Sequence, residues 1–314
     1  MLNRRHLRIK IMQALYSHYT AEDGDVKKSE EALLFSIDKM QEMYLYLLML
    51  IVEMQGQAIE RIESGRNKKL PTKEDLHPNT KFVTNKPLRV LVNSKVLKKA
   101  TDTTGVSWSD NRELLKKVFK SLTETEDYKE YMASELRGFD HDREYLLRFF
   151  KRHMINIELV HDYFEEKSIF WNDDLDLISS MVIKTVKTIE ETTDDVELLP
   201  LWKEGDDEKE FTIKLFRQTL AMGVESESQI QEYAKNWELD RIAVIDMILM
   251  KMALAEARTF ESVPLKVTLN EYIELSKYYS TPKSNGFING VLDQLFTKLK
   301  DEGIIKKVGR GLLQ

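Results

Sequence analysis

The sequence predicts an all-α protein. Apolar residues recur at helical spacing over most of its 314 residues, which is the pattern of amphipathic helices. Strand signals are confined to two short runs, Phe82-Val83 and Leu88–Val92. With 42% hydrophobic and 32% charged residues, the composition is typical of a folded soluble protein. The chain is long enough for two average domains or one large one.

Composition also narrows the class of function. The sequence contains no cysteine, which excludes disulfides, thiol catalysis and cysteine-ligated metal sites. Its formal net charge is −6, so any contact with nucleic acid must be local or shared with a partner. The basic N-terminus lacks the apolar segment of a secretory signal. The most apolar run, residues 43–52, lies between Glu42 and Glu53 and is shorter than a membrane span. We therefore expect a cytoplasmic protein with no membrane partner.

The first predicted helix, residues 3–20, has two distinct sides. Most of its apolar side chains cluster on one side, together with a histidine expected to be a satisfied core residue: Leu7, Ile11, Ala14, Leu15 and His18. A second side, well round the helix, carries Arg5, Arg8, Met12 and Tyr16. Guanidinium groups bind phosphates bidentately and a tyrosine ring can stack on a base. By itself, this side fits either an RNA-facing surface or a solvated basic face.

The middle of the chain is predicted to be helical, with one proline-containing loop. One long helix is expected over residues 29–64, followed by a loop from 65 to 87 that contains three prolines. Further helices are predicted over 88–99, 109–122, 128–136, 141–166 and from a cap at Asn172 to about 190. A capping box, Ser226-x-x-Gln229, is expected to start a later helix that ends near Trp237.

Charge is distributed unevenly along this middle region. Residues 61–100 contain eleven lysines and arginines against three acids, and residues 190–210 contain ten acids against two lysines. Two interpretations stay open for the basic run. It could extend an RNA footprint, or it could be a solvated loop whose lysines offset the acidic run.

Three predicted helices follow residue 237. The first is apolar on most sides, the second begins at Pro264, and the third follows Thr281-Pro282. The third helix carries apolar residues at helical spacing: Phe287, Ile288, Val291, Leu292, Leu295 and Phe296. Gly286 and Gly290 lie four residues apart in it. Because glycine weakens a helix, the pair predicts a close approach to the backbone, with tight helix–helix packing as the simplest cause.

Several motifs in these helices resemble the NusB family of transcription antitermination factors. LDRIAVIDMIL, VPLKVTLNEYIELSKYY and SNGFINGVLD resemble the family's C-terminal half, and NRRHLRIKIMQALYSHY resembles its arginine-rich first helix. The resemblance covers residues 3–20 and about 207–299. It implies a NusB-like bundle of two packed helical subdomains, enlarged by an inserted helical region. The expected division is a first helix (1–20), an insertion or enlarged N-terminal subdomain (21–206), a C-terminal subdomain (207–302) and a basic mobile tail (303–314).

The resemblance also implies a function. A family member would bind boxA-like single-stranded RNA jointly with a NusE-like protein of the small ribosomal subunit. It would contact the RNA polymerase elongation complex indirectly and support transcription of ribosomal RNA. The residues that match the family's RNA-binding positions are Arg4, Arg5, Arg8, Tyr16, Asp246, Ser284, Asn285, Phe287 and Asn289. In this scheme the arginines meet phosphate, Tyr16 stacks or hydrogen-bonds, and Asp246 accepts from a base. Phe287 is the second stacking ring.

Two positions depart from the family pattern. Gly286 stands where a lysine is common, and Lys283 stands where an acidic residue is usual. The first change removes a positive charge and the second adds one, so the individual RNA contacts implied by the resemblance do not all carry over.

The sequence contains no recognisable catalytic motif. Glycine-rich nucleotide loops, the G-x-S-x-G elbow and H-E-x-x-H are all missing from it. His153 and His161 are spaced too far round a helix for easy shared metal ligation. We expect no enzymatic activity, no cofactor and no metal. Two alternatives remain: a helical protein–protein adaptor that does not bind RNA, and a NusB-like domain serving an RNA methyltransferase. The latter would need a Rossmann-type domain that this sequence does not contain.

Overall fold

The computed structural model describes residues 2–21, 24–202, 205, 207–234 and 242–312. Within these residues there are fifteen α-helices and no β-strand, which confirms the predicted all-α class. The helices are α1 Arg4–Thr20, α2 Val26–Arg66, α3 Lys73–Leu76, α4 Lys86–Asn93, α5 Lys95–Thr104, α6 Arg112–Glu124, α7 Glu126–Ala133, α8 Phe139–Arg152, α9 Glu158–Lys167, α10 Leu175–Thr188, α11 Asp207–Ala221, α12 Gly223–Tyr233, α13 Val244–Thr259, α14 Leu265–Tyr279 and α15 Ser284–Asp301. None of these described helices is both long and apolar enough to cross a membrane.

The chain divides into two compact units. The C-terminal unit comprises Met1–Ile37 and Trp202–Gln314, and the insertion unit comprises Asp38–Leu201. The first helix of the sequence therefore belongs to the same unit as the last five helices. The boundary near residue 37 falls inside α2.

In the C-terminal unit the central element is α13. From Ile248 to Ala257 every residue of this helix is buried, which agrees with a sequence that is apolar on most sides. Helices α1, α11, α12, α14 and α15 all pack against it. It is the neighbour that α1 and α15 share.

The position of α1 follows from its cap and its apolar side. The Asn3 side chain accepts a hydrogen bond from the His6 backbone N–H at 3.1 Å, which satisfies one of the free donors at the helix start. Leu7, Ile11 and Leu15 are fully buried, and α1 packs against α11 and α13. His18 is half-buried and its Nδ1 lies 2.8 Å from the Ser29 hydroxyl, as expected for a satisfied histidine.

The insertion unit has an aromatic core. The Phe82 ring lies among those of Phe119, Tyr128, Tyr145 and Phe149 at centroid distances of 5.5–6.3 Å, and Tyr131 stacks on Tyr145 at 3.6 Å. Such pairs add to the free energy of apolar burial. The run Phe82-Val83 lies in a turn and Leu88–Val92 lies in α4, so neither weak strand signal forms a strand.

Two predicted helices of the insertion are interrupted. The helix expected over 88–99 breaks at Ser94, whose side chain accepts from the Leu97 N–H and caps α5. The helix expected over 141–166 breaks after Arg152, where a short 3₁₀ turn over Met154–Asn156 precedes α9. The break at Ser94 is stabilised by a residue distant in sequence, because the Ser94 hydroxyl donates a hydrogen bond to Asp195 at 2.5 Å.

Some carboxylates of the acidic run, residues 190–210, form hydrogen bonds or ion pairs inside the insertion unit. Asp195 also accepts from the backbone N–H groups of Lys95 and Val96 at the start of α5, and Glu191 pairs with Lys86. Carboxylates at a helix N-terminus complement its dipole. These contacts join part of the acidic run directly to part of the basic run.

Two predicted caps are not used. The cap expected at Asn172 does not form, because α10 begins at Leu175 and its N-cap residue is Asp174. Ser226 lies inside α12, and its buried hydroxyl has no hydrogen-bond partner in the described part of the chain, so the expected capping box does not start that helix. The predicted end near Trp237 lies outside the described residues.

Candidate nucleic-acid interface

Arg8 is buried in a closed hydrogen-bond network. Its Nε and Nη2 each donate to Glu256 at 2.7 Å, and 3% of the arginine side chain is exposed. Thr268 and Tyr272 donate their hydroxyls to the same carboxylate at 3.0 and 2.9 Å. Glu256 thus accepts four hydrogen bonds in a site closed to water. The guanidinium fork of Arg8 faces this buried carboxylate, so the predicted contact of Arg8 with phosphate would require the network to open.

The electrostatics of this network keep Arg8 charged. Burial by itself lowers the pKa of Arg8, but the hydrogen bonds and the charge of Glu256 outweigh it and raise that pKa. Burial also raises the pKa of Tyr272 far above its ordinary value, so the phenol remains a donor. Because Arg8 lies on α1, and Thr268 and Tyr272 lie on α14, the Glu256 carboxylate links both helices to α13.

Arg5 differs from Arg8 because it lies at the surface. Its Nε and Nη2 donate to Glu271 on α14 at 2.9 and 2.7 Å, while 48% of the Arg5 side chain stays exposed. Arg4 is half-buried, with its guanidinium carbon 4.6 Å from the centre of the Phe211 ring. Each of the three predicted RNA-binding arginines therefore has a partner within its own chain.

The far end of α1 carries exposed aromatic rings. Tyr16 has 44% and Tyr19 has 39% of its surface exposed, and residues three apart are neighbours on a helix. The Tyr19 ring lies 5.0 Å from the ammonium of Lys251, which also pairs with Glu227 at 2.6 Å. Tyr19 is not among the site residues predicted from the sequence, although its i, i+3 spacing from Tyr16 is a usable signal.

The second predicted group of site residues lies at the start of α15, and two of its members are buried. The Ser284 hydroxyl donates to Asp246 Oδ2 at 2.7 Å, and the Ser280 and Thr281 hydroxyls lie 3.0 and 2.8 Å from it. Asp246 Oδ1 is buried without a hydrogen-bond partner among the described residues. The hydrogen bond between Ser284 and Asp246, both predicted as RNA contacts, therefore connects the start of α15 to the start of α13.

Phe287 is a core residue. Its side chain is 6% exposed and faces inward with Ile288 and Val291. The predicted stacking of a base on Phe287 would require the ring to turn outward, because only 6% of the residue is exposed. Asn289 is exposed and Asn285 is half-buried, with its Oδ1 accepting from the Gly286 N–H at 2.6 Å.

The glycine pair of α15 does not serve internal packing. A Cβ built on Gly286 or Gly290 meets no atom of the described chain within 4 Å. The predicted tight helix–helix contact is therefore wrong. Both glycines lie on the exposed side of α15 together with Asn289.

The solvent-exposed residues of the candidate site are Arg5 and Tyr16 on α1 and Asn289 on α15. Tyr19, three residues after Tyr16, is also exposed. Nothing in this set resembles a catalytic constellation. Among the described residues, no group of three or more acidic or histidine side chains is arranged to hold a metal ion. The set can donate hydrogen bonds, stack on rings and attract negative charge.

Comparison with known proteins identifies relatives of this chain. Residues 173–296 match the model of the NusB family. A transcription antitermination protein NusB of Salinibacter ruber is 42% identical over 139 residues, covering 42% of this chain and 86% of the relative. The protein of the same name from Chloroherpeton thalassium is 42% identical over 105 residues, covering 33% of this chain and 50% of that relative.

A third relative is more distant. The transcription antitermination protein NusB of Natranaerobius thermophilus is 39% identical over 70 residues, covering 22% of this chain and 50% of its own length. No solved structure gives a significant match. The family match begins at residue 173, just before α10 and upstream of the expected boundary at 207.

Proposed function

Because this chain belongs to the NusB family, we propose that it is an RNA-binding transcription antitermination factor that supports transcription of ribosomal RNA. Its ligand would be boxA-like single-stranded RNA, bound in the cytoplasm jointly with a NusE-like protein of the small ribosomal subunit. Contact with the RNA polymerase elongation complex would be indirect, and the protein itself would catalyse no reaction. The names of the three relatives support the antitermination role.

The observation that carries the RNA proposal is the exposed edge of α1. Tyr16 and Arg5 are exposed on a protein whose net charge is −6. Solvent exposure of a large aromatic ring costs apolar free energy, and single-stranded RNA is bound through stacking and phosphate contacts of this kind. We therefore place the first RNA contacts at Arg5 and Tyr16, and treat Arg8, Asp246, Ser284 and Phe287 as residues that position the surface.

Replacement of Tyr16 by alanine is expected to weaken binding of a short boxA-like RNA by roughly ten- to a hundredfold. Loss of base–aromatic stacking costs about 1–3 kcal/mol, and an exposed tyrosine contributes little to folding. Fluorescence anisotropy with labelled RNA measures the affinity, and circular dichroism checks the fold. Tyr16→Phe is the matched control, since it keeps the ring and removes only the hydroxyl. Equal affinity of Tyr16→Ala and wild type would remove Tyr16 from the site.

The salt dependence of binding separates this proposal from the protein–protein adaptor. A protein that neutralises phosphates loses affinity steeply as salt rises, whereas an adaptor binds no RNA at any salt concentration. Co-purification tests the protein partner independently. The proposal expects the NusE-like ribosomal protein to be retained by the tagged chain, and more strongly when the RNA is present.

The basic segment of the insertion is expected not to contribute to RNA binding. Lys68 pairs with Asp75 at 2.8 Å and Lys86 pairs with Glu191, so part of the positive charge is neutralised internally. Changing Lys68, Lys69 and Lys73 together to glutamine should leave the slope of log affinity against log salt unchanged. A slope shallower by about 0.7 per lost contact, with a greater loss for longer RNA, would instead assign this segment to the RNA surface.

A further inference from the structure

The two ion pairs that hold the arginines of α1 differ in how accessible they are. Glu256 is fully buried, and its four hydrogen-bond donors leave no room for a competing group. Glu271 is 18% exposed and holds the half-exposed Arg5 by two parallel hydrogen bonds. Only the second pair lies where a ligand in solvent can reach it.

The geometry of the Arg5–Glu271 pair is the one an arginine uses to bind phosphate. Two parallel N–H donors of a guanidinium match the oxygens of either a carboxylate or a phosphate. Glu271 therefore occupies the same donors that an RNA phosphate needs. Arg8 Nη1 also lies 3.5 Å from Glu271, so this carboxylate neutralises part of both positive charges.

We propose that Glu271 is an internal competitor for RNA, a carboxylate that occupies Arg5 in the free protein and must be displaced by a phosphate before the arginine can bind RNA. The inference rests on the proposed RNA-binding function and adds a regulatory element to it. RNA that lacks enough other contacts would fail to displace Glu271, so the pair raises the threshold for weak or non-specific RNA.

Two further observations support this arrangement. The hydrogen bonds from Arg5 lower the pKa of Glu271, so the carboxylate is charged at neutral pH and repels phosphate until it moves. An exposed ion pair is weak, and a phosphate can replace it, whereas the buried pair of Arg8 would have to be broken against a large cost.

The test compares Glu271→Gln with wild type for binding to the same short single-stranded RNA. Removal of the competing charge should tighten binding by roughly two- to fivefold, the range set by a surface ion pair. The opposite hypothesis, that Glu271 holds Arg5 in position for RNA, requires the variant to bind more weakly. Tighter RNA binding by Glu271→Gln supports the competition, and unchanged or weaker binding overturns it.

Glu274→Gln is the matched control. Glu274 lies one turn further along the same helix, pairs with Lys277 and loses the same single charge on substitution. It removes a nearby charge that also raises the pKa of Arg5 and keeps the two hydrogen bonds between Arg5 and Glu271, so its gain in affinity should be smaller than that of Glu271→Gln. A gain of equal size in both variants would overturn the direct competition.

A second variant tests whether the gain passes through Arg5. In an Arg5→Gln background, the Glu271→Gln substitution should no longer tighten binding, because the arginine that it releases is gone. A persistent gain would overturn the inference. If wild type binds RNA while these variants fail to behave as described, only the competition is wrong. If neither wild type nor Glu271→Gln binds RNA at low salt, the proposed function fails and this inference fails with it.

Discussion

Replacing Arg8 by alanine is expected to lower the free energy of unfolding of the C-terminal unit by about 3–5 kcal/mol. The substitution leaves Glu256 fully buried with its charge uncompensated, and Thr268 and Tyr272 alone would face it. The loss is large because a carboxylate is far more costly to bury alone than in an ion pair. Urea denaturation followed by circular dichroism measures it as a lower midpoint of the transition.

Arg5→Ala is the matched comparison for that experiment. It removes an arginine from the same helix and also breaks a bidentate pair with a glutamate, but the pair is at the surface. Its expected cost is about 0–1 kcal/mol. Similar losses in Arg8→Ala and Arg5→Ala would contradict the distinction between a buried structural pair and an exposed one. Any loss of RNA affinity in Arg8→Ala must be judged on samples shown to be folded.

Phe287→Ala is expected to cost about 3–5 kcal/mol, the usual range for removing a buried phenylalanine ring. The ring is 6% exposed among the apolar residues of α15, so its removal leaves a cavity in the packing against α13 and α14. Thermal or urea unfolding measures the loss. Asn289→Ala on the exposed side of the same helix should change the unfolding free energy by less than about 0.5 kcal/mol.

Phe287→Leu separates a packing role from a stacking role. Leucine keeps most of the buried apolar volume, so the variant should stay folded at a cost below about 1.5 kcal/mol. It cannot stack on a base as an aromatic ring does. Wild-type affinity of Phe287→Leu for RNA is the expected result. A drop of tenfold or more in a folded sample would show that the ring turns outward to stack on RNA.

Several features of this protein could be predicted from its sequence because they depend on nearby residues. The helical class, the span of α1 and the buried positions of α15 all follow from apolar spacing within one helix. The family was recognisable for a similar reason, since its motifs are short runs of consecutive residues.

The breaks in the insertion could not be predicted in the same way. Leu88–Lys99 has the pattern of one helix, yet Ser94 ends α4 and caps α5 because Asp195 reaches it from another part of the unit. The spacing of apolar residues within one segment carries no information about a partner that is distant in the sequence. The same limit applies to Gly286 and Gly290, where a pattern that usually means internal packing faces open space.

The candidate site shows the limit most clearly. Arg5 and Arg8 lie three residues apart on one side of α1, and their sequence contexts differ little. One is exposed and the other is buried, because Glu271 lies at the surface and Glu256 lies inside α13, 248 residues after Arg8. A signal for Glu256 was present, since a charged residue inside an apolar helix needs a buried partner.

The sequence by itself determined which residue types line each helix and which family the chain resembles, because helical periodicity and short motifs are local properties. Only the tertiary structure decided which of the predicted RNA contacts are open. Arg5 and Tyr16 remain at the surface, while Arg8, Asp246, Ser284 and Phe287 are enclosed. The physical reason is that burial and ion pairing are set by neighbours distant in the chain, and those neighbours are chosen by packing around α13.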